Sequence, residues 1–194
     1  MYKRGKLFVI SAPSGAGKTT LCARLLKDMP KLVCSVSMTT RKLRRGEKDG
    51  MDYFFTDARA FKKRIQENYF LEYAKVFGHY YGTPRDFVER NLCQGKNVLL
   101  NIDVQGAMQI RKNFRKDSVF IFILPPSIDD LKKRLMLRKT DTEFEIKQRL
   151  KVAKRELKQL KFYDHKIIND DINEALSELK SVLIGRQTIK RKVG

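Results

Sequence analysis

The stretch LFVISAPSGAGKTTL, residues 7–21, decides the fold of this chain. Its apolar start predicts a short buried strand and its end opens a helix, so the small residues between them form a strand-to-helix loop. Backbone N–H groups in such a loop can turn inward around phosphates, and glycine permits the positive φ that this needs. A lysine there supplies charge for the β- and γ-phosphates, and the next hydroxyl can ligate Mg²⁺. The predicted nucleotide-binding residues are Ala12, Pro13, Ser14, Gly15, Ala16, Gly17, Lys18, Thr19 and Thr20.

One position departs from the strict phosphate-loop pattern G-x-x-x-x-G-K-[ST], because alanine stands at position 12 where the pattern has glycine. We therefore expect Ala12 to hold an ordinary L-residue conformation. The alternative is a Gly/Ser turn that happens to contain lysine, but the strand before the loop and the helix after it favour phosphate binding.

The composition suits one domain with a real core, at 194 residues. No apolar run is near the ~18 residues of a membrane span, and the N-terminus lacks the features of a signal peptide. The odd count of three cysteines, without metal-ligand spacing, is typical of reduced thiols. We expect a cytoplasmic protein that does not bind a membrane.

The net charge of +20 is typical of proteins that bind nucleic acid, and also of proteins that handle polyanionic nucleotides. Much of the excess is lysine spread over predicted helix faces, where a solvated surface is the simpler interpretation. No groove-reading motif accompanies it, so we expect no specific nucleic-acid partner. The last residues, 187–194, are expected to be a frayed basic tail.

Beyond about residue 95 the predicted strands and helices alternate regularly, and VLLNI (98–102) and VFIFIL (119–124) are nearly continuous apolar runs. Such runs predict an α/β fold whose parallel sheet is covered on both faces by helices. We also expect a strand at 32–38, a helix capped by Thr56 and a helix whose first residue is Pro84. The predicted single domain comprises a core (about 1–34, 84–126 and 161–186), an inserted mixed α+β segment (about 35–83) and a helical excursion (about 127–160).

The helical excursion begins with a capping-box-like Ser127-Ile128-Asp129-Asp130 and has only a partial apolar face. Arg138 and Arg149 lie among its polar residues. This pattern is typical of a mobile lid over phosphates, and equally of an ordinary surface helix hairpin.

These motifs together resemble the guanylate kinases, nucleoside-monophosphate kinases with a P-loop that make GDP from GMP and ATP. The resemblance covers nearly the whole chain. The motifs that carry it are SAPSGAGKTT (11–20), SVSMTTRKLRRGEKDGMDYFF (35–55), FLEYAKVFGHYYGTP (70–84), NIDVQGA (101–107), FILPPS (122–127), RLMLRKTDTEFEIKQRL (134–150) and YDHKIIND (163–170). The family's phosphate loop often has alanine at the position of Ala12. The resemblance implies that the inserted segment binds GMP and that the excursion is the lid.

Carried over by position, the resemblance assigns the GMP phosphate to Arg41, Arg44, Tyr53 and Tyr81, and the guanine to Ser37, Glu72 and Thr83. Arginines and tyrosine hydroxyls can clamp a phosphate dianion through charge-assisted bonds. A carboxylate can accept both N–H groups on the Watson–Crick edge of guanine, which adenine cannot offer. Taken singly, the tyrosines could instead be core aromatics and Glu72 a solvated strand residue.

The implied chemistry is in-line transfer of the γ-phosphoryl group of ATP to a phosphate oxygen of GMP, with Mg²⁺ as cofactor. The attacking group is already an anion, so catalysis becomes positioning and charge neutralisation. The implied metal contacts are Thr19 and Asp103. The implied catalytic residues are Lys18, Arg41, Arg44, Arg138 and Arg149.

Two departures from the family pattern stand out. Asn101 replaces the usual aspartate before Asp103, which keeps hydrogen bonding but loses a charge, and the lid has Lys139-Thr140-Asp141 after Arg138. Alternatives also remain: a non-catalytic guanylate-kinase-like module that binds an acidic peptide, a basic nucleic-acid-binding protein, and a phosphotransferase for another nucleotide. The intact Gly17, Lys18 and Thr19 favour the enzyme. The sequence leaves monomer and homo-oligomer open.

Overall fold

The structure, a computed structural model, describes residues 4–137 and 142–185 of the chain. The strands are β1 (Leu7–Ser11), β2 (Val33–Cys34), β3 (Met38–Thr39), β4 (Phe54–Phe55), β5 (Phe70–Val76), β6 (His79–Pro84), β7 (Val98–Asn101), β8 (Ser118–Leu124) and β9 (His165–Ile168). The helices are α1 (Lys18–Asp28), α2 (Ala58–Gln66), α3 (Arg85–Cys93), α4 (Val104–Phe114), α5 (Ile128–Leu137), α6 (Glu143–Leu157) and α7 (Ile172–Leu183). Along these residues strands and helices alternate regularly only from α3 to α5, in the part of the chain where the sequence predicts it. Among the described residues, no helix combines the length and apolar character needed to cross a membrane.

The larger sheet has five strands in the order β2-β7-β1-β8-β9. Its pairs are parallel where β2 meets β7 and where β8 meets β9. Every residue of β1 is buried, and all but one residue of β8 is buried as well. Parallel strands need crossover connections that cover the sheet with helices, which accounts for these continuous apolar runs. The predicted α/β fold with a parallel sheet is confirmed.

A second, four-stranded sheet has the order β4-β3-β6-β5 and lies in the segment predicted to be a mixed insertion. Strand β6 pairs antiparallel with both β3 and β5, whereas β3 and β4 are parallel. The ring of Phe61, from α2, stacks on Phe70 and Tyr80 with centroid distances of 4.4 Å and 5.3 Å. This aromatic cluster is the core that supports the second sheet.

The chain forms two compact units. Unit 1 comprises the residues up to Val9 and Lys31–Val119, and it contains the whole four-stranded sheet. Unit 2 comprises Ile10–Pro30 and the residues from Phe120 onward, and it contains the glycine-rich loop. The predicted division into core, inserted segment and lid remains a prediction, and the predicted tail at 187–194 lies outside the described residues.

The single strand predicted at 32–38 is wrong. Strand β2 ends at Cys34 in the five-stranded sheet, and β3 begins at Met38 in the four-stranded sheet. The chain changes sheets between these residues, so a run that alternates weakly in sequence serves two different sets of neighbours.

Two predicted helix starts also differ from the structure. Asp57, not Thr56, caps α2, because its carboxylate accepts the backbone N–H of Ala60 at 2.8 Å. Pro84 is the last residue of β6, paired with Phe70, and it precedes α3 instead of opening it. In contrast, the predicted start at Ser127 is confirmed, since its hydroxyl accepts the Asp130 N–H at 3.0 Å.

Candidate active site

The glycine-rich loop of unit 2 connects β1 to α1 through a tight backbone turn. Gly15 and Gly17 have φ of 98° and 89°, in the left-handed region that glycine adopts without steric cost. Among described non-glycine residues only Asn68 and Phe77 have positive φ, so Ala12 keeps an ordinary conformation, as expected. Gly17 is the residue before α1, so Lys18 lies at the helix N-terminus, where anions bind favourably.

The predicted phosphate and metal contacts at the start of α1 are accessible. Lys18 is half-buried, whereas Thr19 and Thr20 are exposed. A hydroxyl in the first turn of such a helix can reach a cation held by the phosphates. This part of the loop therefore presents an ammonium group and two hydroxyls at a helix N-terminus.

Asn169 holds the loop from the end of β9, a role that the sequence analysis missed. Its side-chain N–H donates to the carbonyl of Ala16 at 2.8 Å, and Asn169 is only 5% exposed. A side chain at Gly17 would overlap the same amide group. Arg134 in turn donates to the Asn169 carbonyl at 2.9 Å. The signal available in the sequence was a polar residue at the end of a short strand.

The two helices of the predicted lid contact the loop. Arg149, on α6, donates to the Ser14 hydroxyl at 2.9 Å, so two predicted site residues meet. An ideal Cβ built at Gly15 would lie 3.0 Å from side-chain atoms of both Leu131 and Leu135, which indicates that α5 packs closely on the loop. Leu131 and Leu135 also form a small core with residues of α6 that the partial apolar face did not reveal.

Part of the predicted lid site cannot be placed. Arg138 and the departure at 139–141 lie outside the described residues.

The second group of predicted residues is in unit 1, where Glu72 of β5 lies opposite Thr83 of β6. The Thr83 hydroxyl donates to Glu72 Oε1 at 2.6 Å, and the two residues are 0% and 3% exposed respectively. The β5–β6 pairing shifts register between Phe70 and Glu72, and such an irregularity changes the direction of the side chains that follow it. The interpretation of Glu72 as a solvated strand residue is therefore wrong: its carboxylate is buried and hydrogen-bonded.

Arg41 forms a two-pronged ion pair with Glu47, with N–O distances of 2.7 Å and 2.9 Å. Their side chains are only 10% and 20% exposed. Glu47 also accepts the backbone N–H of Arg44 at 2.8 Å. One carboxylate therefore binds the side chain of Arg41 and the backbone of Arg44. These bonds, chiefly those from Arg41, lower the pKa of Glu47, and the bond to Glu47 raises the pKa of Arg41.

The two predicted tyrosines lie beside Arg41. The rings of Tyr53 and Tyr81 meet edge to face at 5.9 Å, and the Arg41 guanidinium lies 5.4 Å from the centre of the Tyr53 ring. Burial raises the pKa of Tyr53, so its hydroxyl keeps its proton and can donate at neutral pH. An arginine and tyrosine hydroxyls thus come together as a donor set suited to phosphate.

The remaining predicted residues of unit 1 are less closely tied to this group. The Arg44 side chain is exposed, and half-buried Ser37 accepts the Phe54 N–H through its carbonyl at 2.9 Å. Asp103 caps α4 by accepting the N–H groups of Gln105 and Gly106 at 2.7 Å and 3.2 Å. Asn101 ends β7 two residues earlier.

The sequence analysis also missed Glu47. It lies among basic residues at 41–48, and a charged side chain in such a polar segment is ordinarily solvated. The signal was present nonetheless, since a single acid among five basic residues at 41–48 has arginines within reach.

Comparison with known proteins shows the family of this chain. The sequence profile of the family described as "Guanylate kinase" matches residues 4–185. The guanylate kinase of Wolbachia pipientis wMel is 51% identical over 179 residues, which cover 92% of this chain and 89% of that protein. The guanylate kinase of Caldanaerobacter subterraneus subsp. tengcongensis is 46% identical over 185 residues, covering 95% and 89%. The crystal structure of guanylate kinase from Anaplasma phagocytophilum superposes with a TM-score of 0.80 at 36% identity, covering 94% of this chain and 86% of that one. With its phosphate loop, its buried carboxylate and relatives of this similarity along nearly its whole length, the chain belongs to the guanylate kinase family.

Proposed function

We propose that this chain holds GMP with residues of unit 1 and the phosphates of ATP with the glycine-rich loop of unit 2. The reaction is that of its family: the γ-phosphoryl group of ATP passes to GMP, giving GDP and ADP in purine nucleotide metabolism. The observation that carries the assignment is the buried Glu72 carboxylate, bonded to Thr83 in the same compact unit as the donor set around Arg41.

The base would be recognised by Glu72. A buried carboxylate can accept the ring N–H and the exocyclic amino group of guanine, which lie side by side on its Watson–Crick edge. Adenine offers no matching pair and would not supply the two donors that guanine gives the carboxylate, at a cost on the order of 3 kcal/mol or about a hundredfold in efficiency. Thr83 holds one carboxylate oxygen, and Ser37 is proposed as a further contact to the base.

The GMP phosphate would be held by Arg41, Arg44, Tyr53 and Tyr81. Hydrogen bonds to Glu47 and to the Lys42 carbonyl use three of the five N–H donors of Arg41, and Tyr81 bonds to the same side chain, so guanidinium and phenol would together meet the phosphate. The phosphate oxygen attacks as an anion, so these residues orient it and neutralise its charge without acting as a general base.

The phosphates of ATP would be held by residues 12–20, with Lys18 as the principal cation. Arg149 would exchange its bond to Ser14 for one to a phosphate, and the proposed role of Arg138 is the same. Closure of these helices over the nucleotide would exclude water, which competes as a phosphoryl acceptor.

Mg²⁺ is the proposed cofactor. Among the described residues, no cluster of three or more His, Cys, Asp or Glu side chains could hold a metal ion. The proposed contacts, the Thr19 hydroxyl and the Asp103 carboxylate, are oxygen ligands and few in number, which suits an ion that takes most of its ligands from phosphates and water. When bound to ATP, the ion would neutralise charge that develops on the phosphates.

A cytoplasmic location is also proposed. Cys22, Cys34 and Cys93 are all free thiols. Free cysteines, one of them exposed, suit a reducing compartment.

The test is an assay of ADP release with ATP and Mg²⁺, comparing GMP, AMP, CMP and UMP as acceptors. We expect rapid turnover with GMP alone, and the loss of that preference in Glu72→Ala. The matched control is Glu67→Ala, which removes an exposed carboxylate of the same unit. A Glu72→Ala enzyme that kept its preference for GMP would overturn the base assignment, and failure of every acceptor with a folded, ATP-binding protein would favour the acidic-peptide module.

A further inference from the structure

Helix α4 approaches Glu72 so closely that no side chain fits between them. An ideal Cβ built at Gly106 would lie 2.8 Å from Glu72 Cδ, and nearer still to Oε2. Real Cβ atoms essentially never come that close to a neighbour. The buried carboxylate therefore occupies the space that any other residue at position 106 would fill.

Nothing in the backbone of α4 calls for glycine at this position. Gly106 is the third residue of the helix and is not among the glycines with positive φ. Glycine inside a helix is less favourable than alanine by about 0.5–1 kcal/mol. The close approach to Glu72 is the feature that explains a residue otherwise unfavourable for the helix.

A second contact fixes the same helix to the same strand. Gln109, one turn after Gly106, accepts the Tyr73 N–H at 3.3 Å and donates to the Tyr73 carbonyl at 2.6 Å. Strand β5 is at the edge of its sheet, so this side chain supplies the hydrogen bonds that a further strand would make. The residue that it holds directly follows Glu72.

We propose that Gly106 and Gln109 form a base-specificity support: Gly106 leaves room for the Glu72 carboxylate, and Gln109 fixes the backbone beside it. The proposal rests on the assignment of Glu72 to guanine recognition. Both residues are positioning residues, because they act through Glu72 and are not proposed to touch GMP. Substituting either residue should therefore change the preference for one base over another and leave the KM for ATP unchanged.

The experiment compares kcat/KM for GMP with that for IMP, whose base keeps the ring N–H but lacks the amino group. In the wild type, IMP lacks the amino N–H that guanine would donate to the Glu72 carboxylate, so GMP is preferred. Gly106→Ala should push the carboxylate aside and reduce the GMP-to-IMP ratio by about tenfold or more, with the KM for ATP unchanged. Gln109→Met, which removes both bonds at similar size, should reduce the ratio by a few fold.

The matched control is Gly5→Ala, also in unit 1. A Cβ there would lie 2.5 Å from the carbonyl carbon of Lys96, so the substitution strains the fold without approaching Glu72. Gly5→Ala should lower Tm while the GMP-to-IMP ratio stays at the wild-type value. A ratio that fell equally in Gly5→Ala would show general loosening of the unit and refute the proposal.

Combining Gly106→Ala with Glu72→Asp provides a second readout. The shorter aspartate withdraws from the new methyl group, so the double variant should lose less than the product of the two single losses. Strictly multiplicative losses would contradict contact between the two positions.

The Glu72→Ala variant distinguishes failure of the base assignment from failure of the proposed support. If it leaves the GMP-to-IMP ratio unchanged, the assignment of Glu72 to the base fails. If it collapses the ratio while Gly106→Ala and Gln109→Met do not, only the proposed support fails. Should Gly106→Ala not fold, Gln109→Met decides the question alone.

Discussion

Replacing Glu47 with glutamine tests whether the Arg41–Glu47 pair prepares the phosphate site or competes with it. The pair engages the end of the Arg41 guanidinium, and Glu47 also holds the backbone of Arg44. If Glu47 positions the arginines, its loss should weaken GMP binding. If instead Glu47 occupies the place of the GMP phosphate, its loss should strengthen binding. The sign of the change therefore decides between the two.

The expected size follows from the bonds that are lost. Glutamine keeps one acceptor oxygen but turns an N–H₂ group toward the guanidinium, so at least one charge-assisted bond disappears. Such a bond contributes about 1.5–3 kcal/mol, and the slight exposure of both side chains, 10% and 20%, favours the lower part of that range. A loss of about 1.5–2 kcal/mol corresponds to a tenfold to thirtyfold rise in KM for GMP.

Steady-state ADP release at saturating ATP measures this rise directly. We expect KM for GMP to increase with little change in kcat, and KM for ATP to stay constant. Glu67→Gln is the control, because the Lys63–Glu67 pair is exposed and loose at 3.9 Å and should contribute almost nothing. A lower KM for GMP in Glu47→Gln would refute the positioning role and identify the pair as a competitor of the phosphate.

The same variant carries a pH signature. The folded-state pKa of Glu47 is lowered, mainly by its bond with Arg41, whereas an unfolded glutamate titrates near about 4.3. Its contribution to stability is therefore complete above about pH 4.3 and is lost as the pH falls through the lowered folded pKa. The difference in Tm between wild type and Glu47→Gln should shrink on acidification in that range, and a constant difference down to pH 3 would argue against the ion pair as its source.

Two further predictions concern the glycine-rich loop. Lys18→Ala should reduce kcat severely while circular dichroism and Tm remain close to wild type, because the half-buried Lys18 lies at the start of α1. Unchanged turnover in this variant would overturn the proposed role of Lys18. Asn169→Asp should raise KM for ATP and lower Tm, since a carboxylate would face the Ala16 carbonyl where an N–H₂ now donates at 2.8 Å. Asn173→Asp, on the more open surface of α7, is its control, and equal effects in both variants would count against a specific hold on the loop.

The local parts of the fold could be predicted from sequence because their causes are local. The loop at residues 12–17 lies between a run of apolar residues and a helical pattern, and both flanking elements form as expected. Likewise, the run at 119–124 becomes a buried parallel strand, since only burial on both faces accommodates continuous apolar residues. Predictions failed at element ends, as at Thr56, where neighbouring residues were equally able to cap the helix.

The candidate site was predictable only in its residue types. The resemblance to guanylate kinases supplied Glu72, Thr83 and Arg41, and the structure places Glu72 against Thr83 in a buried hydrogen bond. The resemblance did not supply Glu47, because an acid among basic residues at 41–48 suggested a solvated side chain.

The sequence by itself therefore determined the glycine-rich loop and the parallel sheet, because periodicity and spacing act between near neighbours, whereas the donors for GMP came from the resemblance to guanylate kinases. Only the tertiary structure decided which groups hold those donors in place. Asn169 reaches Ala16 across 153 residues of chain, and Gly106 matters only because another strand brings Glu72 against it. Close approach between distant segments is a property of packed surfaces, and no local pattern of residues encodes it.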